Sequence, residues 1–102
     1  MINILFICMG NICRSPSAEG FFAKQLQESS SADQVSIDSA GTHSYHIGHA
    51  PDPRAVETGL QFGVHISQLR ARKVTTEDFH DFDLIIAMDR SNLADLQAIQ
   101  PA

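Results

Sequence analysis

The stretch CMGNICRS, residues 8–15, holds a thiol at Cys8 and a guanidinium at Arg14, separated by five residues. A thiolate is a strong nucleophile, and an arginine fork matches two oxygens of a tetrahedral oxyanion. Between them, Gly10 and Asn11 are residue types that tolerate unusual backbone angles, which a loop needs if successive amides are to converge on one anion. Cys8 at the base of such a ring would be favoured as thiolate by the amide dipoles and the guanidinium. A thiolate beneath a bound phosphoryl group stands ready for in-line attack at phosphorus. Ser15 can donate to that sulfur and ease its later departure. Cys-x5-Arg alone is a common spacing, and a cysteine after an apolar run is often plain core packing. The Gly-Asn pair and the serine after the arginine, in a strand-to-helix position, favour a phosphate loop.

The flanking segments must place that loop. INILFIC (2–8) is a short continuous apolar run, suited to a strand covered on both faces. In the segment that follows, Ser15 and Pro16 read as N-cap and first helical residue, and Glu19 lies in a first turn favoured by the helix dipole. Phe21, Phe22, Gln25 and Leu26 carry a helical stripe until ESSSAD breaks it. VSIDSAG (35–41) predicts a second strand, and 42–53 a loop rich in Gly, Pro and His. Asp52 and Pro53 repeat the helix-start signal for 52–63, with Gly63 as its stop. A short helical piece is expected near Thr76–His80, a third strand over 83–89 and a helix over 90–99. Strand and helix alternating three times predict an α/β fold on a parallel sheet, with ligands at the C-terminal strand ends.

Length and composition narrow the classes. The 102 residues suit one domain, and 43% apolar residues suffice for a core. A net charge of −5 without a basic run argues against nucleic acid. Two cysteines make no disulfide framework and fit a reducing compartment. The N-terminal apolar run is too short for a membrane span or a full signal sequence, so the chain reads as soluble and cytoplasmic, with no membrane partner. His43, His46 and His49 share a loop while His65 and His80 lie apart, a pattern read as solvated histidines with no metal site. The cluster RARK (70–73) reads as a solvated basic face.

ICMGNICRSPSAEG resembles the signature of the low-molecular-weight protein tyrosine phosphatases, and the likeness continues through DSAGT (38–42), PDPRA (51–55), RARKV (70–74), DF…FD (78–83) and AMDRSNLADL (87–96). It covers nearly the whole chain. The resemblance implies a phosphatase-I-like, Rossmann-like three-layer fold and hydrolysis of phosphotyrosine-type monoesters through a phosphocysteine, without a cofactor. Cys8 would be the nucleophile and Arg14 the phosphate clamp. Met9, Gly10, Asn11, Ile12, Cys13 and Ser15 would line the substrate, with Asn11, Ser15 and Ser39 framing the loop. Tyr45 would be an aromatic wall, and Cys13 a redox partner of Cys8. The partners implied are a phosphotyrosine protein or small aryl phosphate, and inorganic phosphate in the loop.

Three departures accompany the likeness. The family's general acid sits in a downstream Asp-Pro loop, followed by a last strand and helix, and none of these is found within residues 1–102, so the domain reads as incomplete. Asp52 reads as a helix cap rather than that acid; Asp38, Asp83 and Asp89 read as caps or loop anchors. An open sheet edge would then favour self-association. Leu69 stands where some members carry a histidine that supports the loop. Two alternatives stay open: arsenate reductase-like thiol chemistry, and a non-catalytic phosphate- or phosphoprotein-binding fragment.

Overall fold

The chain is described over residues 1–101 by a computed structural model. Strand β1 (Ile2–Cys8) lies at the centre of a three-stranded parallel sheet, between β2 (Val35–Gly41) and β3 (Leu84–Ala87). Its central position explains its apolar run, because residues on both faces are buried from Ile4 through Cys8. Strand alternation sends Leu5 and Ile7 to one face, where they pack with Ala40, Val74 and Leu96 under Phe79, Phe82 and Ile85. Both are fully buried, and each such side chain contributes about 1.5–3 kcal/mol relative to exposure. Phe6 on the opposite face meets Phe22 at 5.9 Å between ring centres.

Helix α1 (Arg14–Gln27) carries Phe22 and covers that second face. It starts two residues earlier than expected, and Ser15 is no cap: Cys13 occupies the N-cap without a side-chain bond, and Ser15 is fully buried within the first turn. Residues Ala32–Gln34 make a 3-10 turn before β2. Helix α2 (Pro53–Gln61) has the expected start, with Asp52 accepting from the Arg54 amide at 2.8 Å and Pro53 first in the helix. Gly63, at φ +74°, lets the chain reverse after α2. Val64 and Ile66 then bury against Ala55, with Phe21, Val56 and Leu69 around them. Helix α3 spans Asp78–Asp81, slightly later than the expected piece, and α4 spans Arg90–Ile99. Strand β3 is shorter than its apolar run because Asp83 turns back to accept from the Asn3 amide, while Asp89 caps α4 through the Asn92 amide. Among the described residues, no helix is long and apolar enough to cross a membrane.

Candidate active site

The loop 9–13 joins the C-terminal end of β1 to the start of α1, and its backbone orientation can be read from its carbonyls. The carbonyl of Cys8 accepts from the Thr42 amide at 2.9 Å, that of Met9 from His43 at 3.0 Å, and that of Ile12 from Asp52 at 2.6 Å. In a trans peptide the next N–H points opposite to the carbonyl. The amides of Met9, Gly10 and Cys13 are therefore turned away from these neighbours. Asn11 makes the reversal possible by adopting φ +57°, the left-handed region. Its own amide points at the Cys8 sulfur, 3.3 Å away. Successive N–H groups beside a helix N-terminus form an anion cradle.

Cys8 is buried, and its Sγ lies 2.9 Å from Ser15 Oγ. A polar chain runs on from there: Asn11 Nδ2 donates to Ser15 Oγ at 2.8 Å and to Ser39 Oγ at 2.9 Å, and Ser39 Oγ donates to Glu19 Oε1 at 2.7 Å. Because α1 starts at Arg14, Glu19 lies beyond its first turn, and this bond to Ser39 rather than the helix dipole accounts for its place. Desolvation raises its carboxyl above the ordinary value, with the Ser39 bond lowering it, Asp38 raising it and Arg72 lowering it in turn.

Support from outside the loop comes from a residue the sequence reading placed in solvent. The backbone N–H of Arg72 donates to Asn11 Oδ1 at 3.0 Å, so the outer partner is a main-chain group rather than a side chain at position 69. The Arg72 guanidinium is not simply solvated either. It is held at 3.0 Å by the buried Asp78 and at 3.1 Å by Asp38. The basic cluster at 70–73 gave no hint of this, because both carboxylates lie outside it in the chain.

Arg14 opens α1 and its guanidinium pairs with Asp89 at 2.9 Å, both side chains being roughly half exposed. Asp89 sits at the α4 N-terminus, and its carboxyl is held below the usual range, first by the Asn92 amide and then by Arg14. Cys13 is exposed and unbridged, facing a groove with Ser17, Arg54 and Thr58. Asp52 is held low by Arg54, consistent with its place as a helix cap.

Tyr45 is 73% exposed, and its ring stacks on His43 at 5.4 Å with 14° between planes. His43 Nδ1 is in turn 2.8 Å from Thr42 Oγ1. The sequence reading treated these histidines as solvated and missed that His46 lies against the loop. A Cβ on Gly10 would come 2.9 Å from the His46 ring, so glycine there lets the imidazole approach. No cluster of metal-ligating side chains occurs among the described residues.

A family model described as Low molecular weight phosphotyrosine protein phosphatase matches residues 3–101. A curated relative of that description from Schizosaccharomyces pombe is 46% identical over 101 residues, covering 98% of this chain and 64% of its own length. The Homo sapiens relative is 45% identical over 94 residues, covering 92% of this chain and 59% of its own length. Among solved structures, a protein tyrosine phosphatase from Entamoeba histolytica with Hepes in its active site superposes with a TM-score of 0.94 at 40% identity, over 99% of this chain and 64% of that one. A low molecular weight phosphotyrosine phosphatase from Vibrio cholerae O395 gives 0.90 at 36% identity, over 100% and 65%. The chain thus spans between 59% and 65% of the length of these relatives.

Proposed function

The chain belongs to the low molecular weight phosphotyrosine protein phosphatase family, and we propose that its Cys8–Arg14 loop carries phosphomonoester hydrolysis through a phosphocysteine. The observation that carries this reading is the environment of the Cys8 sulfur. It sits at the floor of a loop whose Asn11 amide and Ser15 hydroxyl both reach it, at 3.3 and 2.9 Å. A phosphoryl group seated on the turned-in amides would be held for attack by the sulfur, with the Arg14 fork stabilising charge on the equatorial oxygens. The P–O bond to the alcohol breaks as the S–P bond forms. Water then cleaves the S–P bond and releases inorganic phosphate, the sulfur leaving as a thiolate toward Ser15. Tyr45 and His43 supply a stacked aromatic face beside the loop for an aryl leaving group. Cys13 is the nearest thiol in sequence that could bridge reversibly to Cys8.

The leaving oxygen needs a proton when the alcohol is as basic as the tyrosine phenol. The aspartates near the site are otherwise engaged: Asp52 and Asp89 cap helices, and Asp38 pairs with Arg72. General acid catalysis typically contributes about 10²–10⁴-fold. The 102-residue polypeptide should therefore turn over activated aryl phosphates far better than phosphotyrosine. Rapid quenching with p-nitrophenyl phosphate, followed by mass analysis, should trap phosphate on the Cys8 peptide. A Cys8→Ser variant with unchanged turnover would remove the proposal.

A further inference from the structure

The polar chain behind Cys8 has a direction, and its protons can be assigned one by one. Asn11 Oδ1 accepts from the Arg72 N–H, so the amide of Asn11 presents its two N–H donors to the serines. Ser39 Oγ receives one of them, and its single proton is left for Glu19, which as a carboxylate can only accept. Ser15 Oγ receives the other, and its single proton is left for the sulfur. We propose that Glu19 is a positioning residue that, by accepting the Ser39 proton at 2.7 Å, locks the Asn11 amide in the orientation that leaves the Ser15 hydroxyl to donate to Cys8. The proposal rests on reading Cys8 as the nucleophile.

The alternative orientation shows what Glu19 prevents. With no acceptor at position 19, the Ser39 proton turns toward Asn11. A flipped amide would satisfy it by placing Oδ1 between the two serines. Ser15 would then donate to Asn11 rather than to sulfur. Only the Arg72 N–H, which would face an NH2 group after the flip, opposes this. Asn11, Ser15 and Ser39 are all buried, so water is a poor substitute partner. The groups facing Glu19 are Asp38 and Arg72 across the sheet, while Lys24 and His65 line the groove of about 320 Å³ on which it opens.

The test compares the wild-type chain with Glu19→Met and Glu19→Gln, reading the rate of Cys8 alkylation by iodoacetamide at about pH 6 relative to about pH 9. Inorganic phosphate as competitor identifies the Cys8 signal, and Cys13→Ser serves as background. Methionine keeps the length and helix preference but cannot accept the Ser39 proton. It should lower the relative rate by about tenfold, the lower end of what one hydrogen bond to a charged group is worth. Glutamine keeps a carbonyl acceptor without charge and should stay within about twofold of wild type. A Glu19→Met profile equal to wild type would overturn the proposal. So would equal losses in both variants, which would point to charge, or a gain in both, which would point to repulsion of the thiolate. If Glu19→Met fails to fold, Glu19→Ala removes the same acceptor while keeping the helix preference and leaving the Ser39 hydroxyl in place, and is read by the same criterion. A wild-type Cys8 that is unreactive at about pH 6 and unprotected by phosphate would remove the nucleophile reading itself. A reactive wild type with an indifferent Glu19 would remove only the lock.

Discussion

Gly41→Ala should damage the loop from behind, and the structure says by how much. Gly41 pairs with Cys8 in the sheet, and a Cβ there would lie 2.6 Å from the Met9 carbonyl oxygen and 3.1 Å from the Asn11 nitrogen. Restoring an ordinary 3.4 Å contact with Met9 O requires a shift of about 0.8 Å. The strand cannot supply it cheaply, since the Gly41 amide donates to Arg72 O and its carbonyl accepts from Val74, each at 2.8 Å. The loop must move instead, and the struck Asn11 amide is the one that reaches the sulfur. Overpacking of this kind costs about 1–3 kcal/mol, and each kcal/mol lowers the melting temperature of a domain this size by roughly 4–8 °C. A displacement near 1 Å in an anion cradle costs about 10²-fold in the function it serves. Thermal melting by circular dichroism and phosphate titration by calorimetry read the two effects separately. Gly48→Ala is the control: at φ +83° an alanine is strained, but its Cβ meets nothing within 4 Å. It should lower stability while sparing phosphate affinity. A Gly41→Ala chain that melts within about 2 °C of wild type and binds phosphate within about twofold would refute the steric argument.

Glu19 also predicts a pH dependence of stability. Its folded carboxyl titrates above the unfolded one, so the folded state holds more proton between the two values, and stability from this group is lost as pH rises through the folded value. Urea denaturation of Glu19→Gln should lack that falling limb, while an identical slope in both proteins would contradict the assignment. Arg14→Lys should weaken phosphate binding by at least about tenfold, because an ammonium cannot offer the paired donors. It should leave the melting temperature within about 2 °C, because the pair with Asp89 is exposed. Leu84, Ile86 and Leu93 are exposed on β3 and α4, so the 102-residue chain should self-associate at rising concentration. Light scattering should show this, and Leu84→Lys with Ile86→Lys should shift the population toward monomer.

The apolar run 2–8, the Gly-Asn pair and the Asp-Pro helix start were all legible because each is a local decision. Backbone preference over a few residues sets a buried strand, a left-handed turn at Asn11 and a cap at Asp52. Ser15 was misread as a cap for a related reason. Its type fits that position locally, and only the approach of Cys8 and Asn11 shows where its hydroxyl goes. In the basic cluster at 70–73, Arg70 and Lys73 are exposed as expected, and Arg72 alone was misread because nothing within the cluster reveals Asp38 and Asp78.

By itself, then, the amino-acid order determined the strand, the loop with its thiol and guanidinium, and the helix that follows. The loop's hydrogen-bond partners were decided by the tertiary structure. Asn11 meets Ser39 28 positions away and Arg72 61 away, and Arg14 meets Asp89 75 away. Those meetings follow from strand register, with Cys8 beside Gly41 and Ile7 beside Ala87. Register is set by burial of whole strand faces across the sheet, a condition no short window of sequence contains.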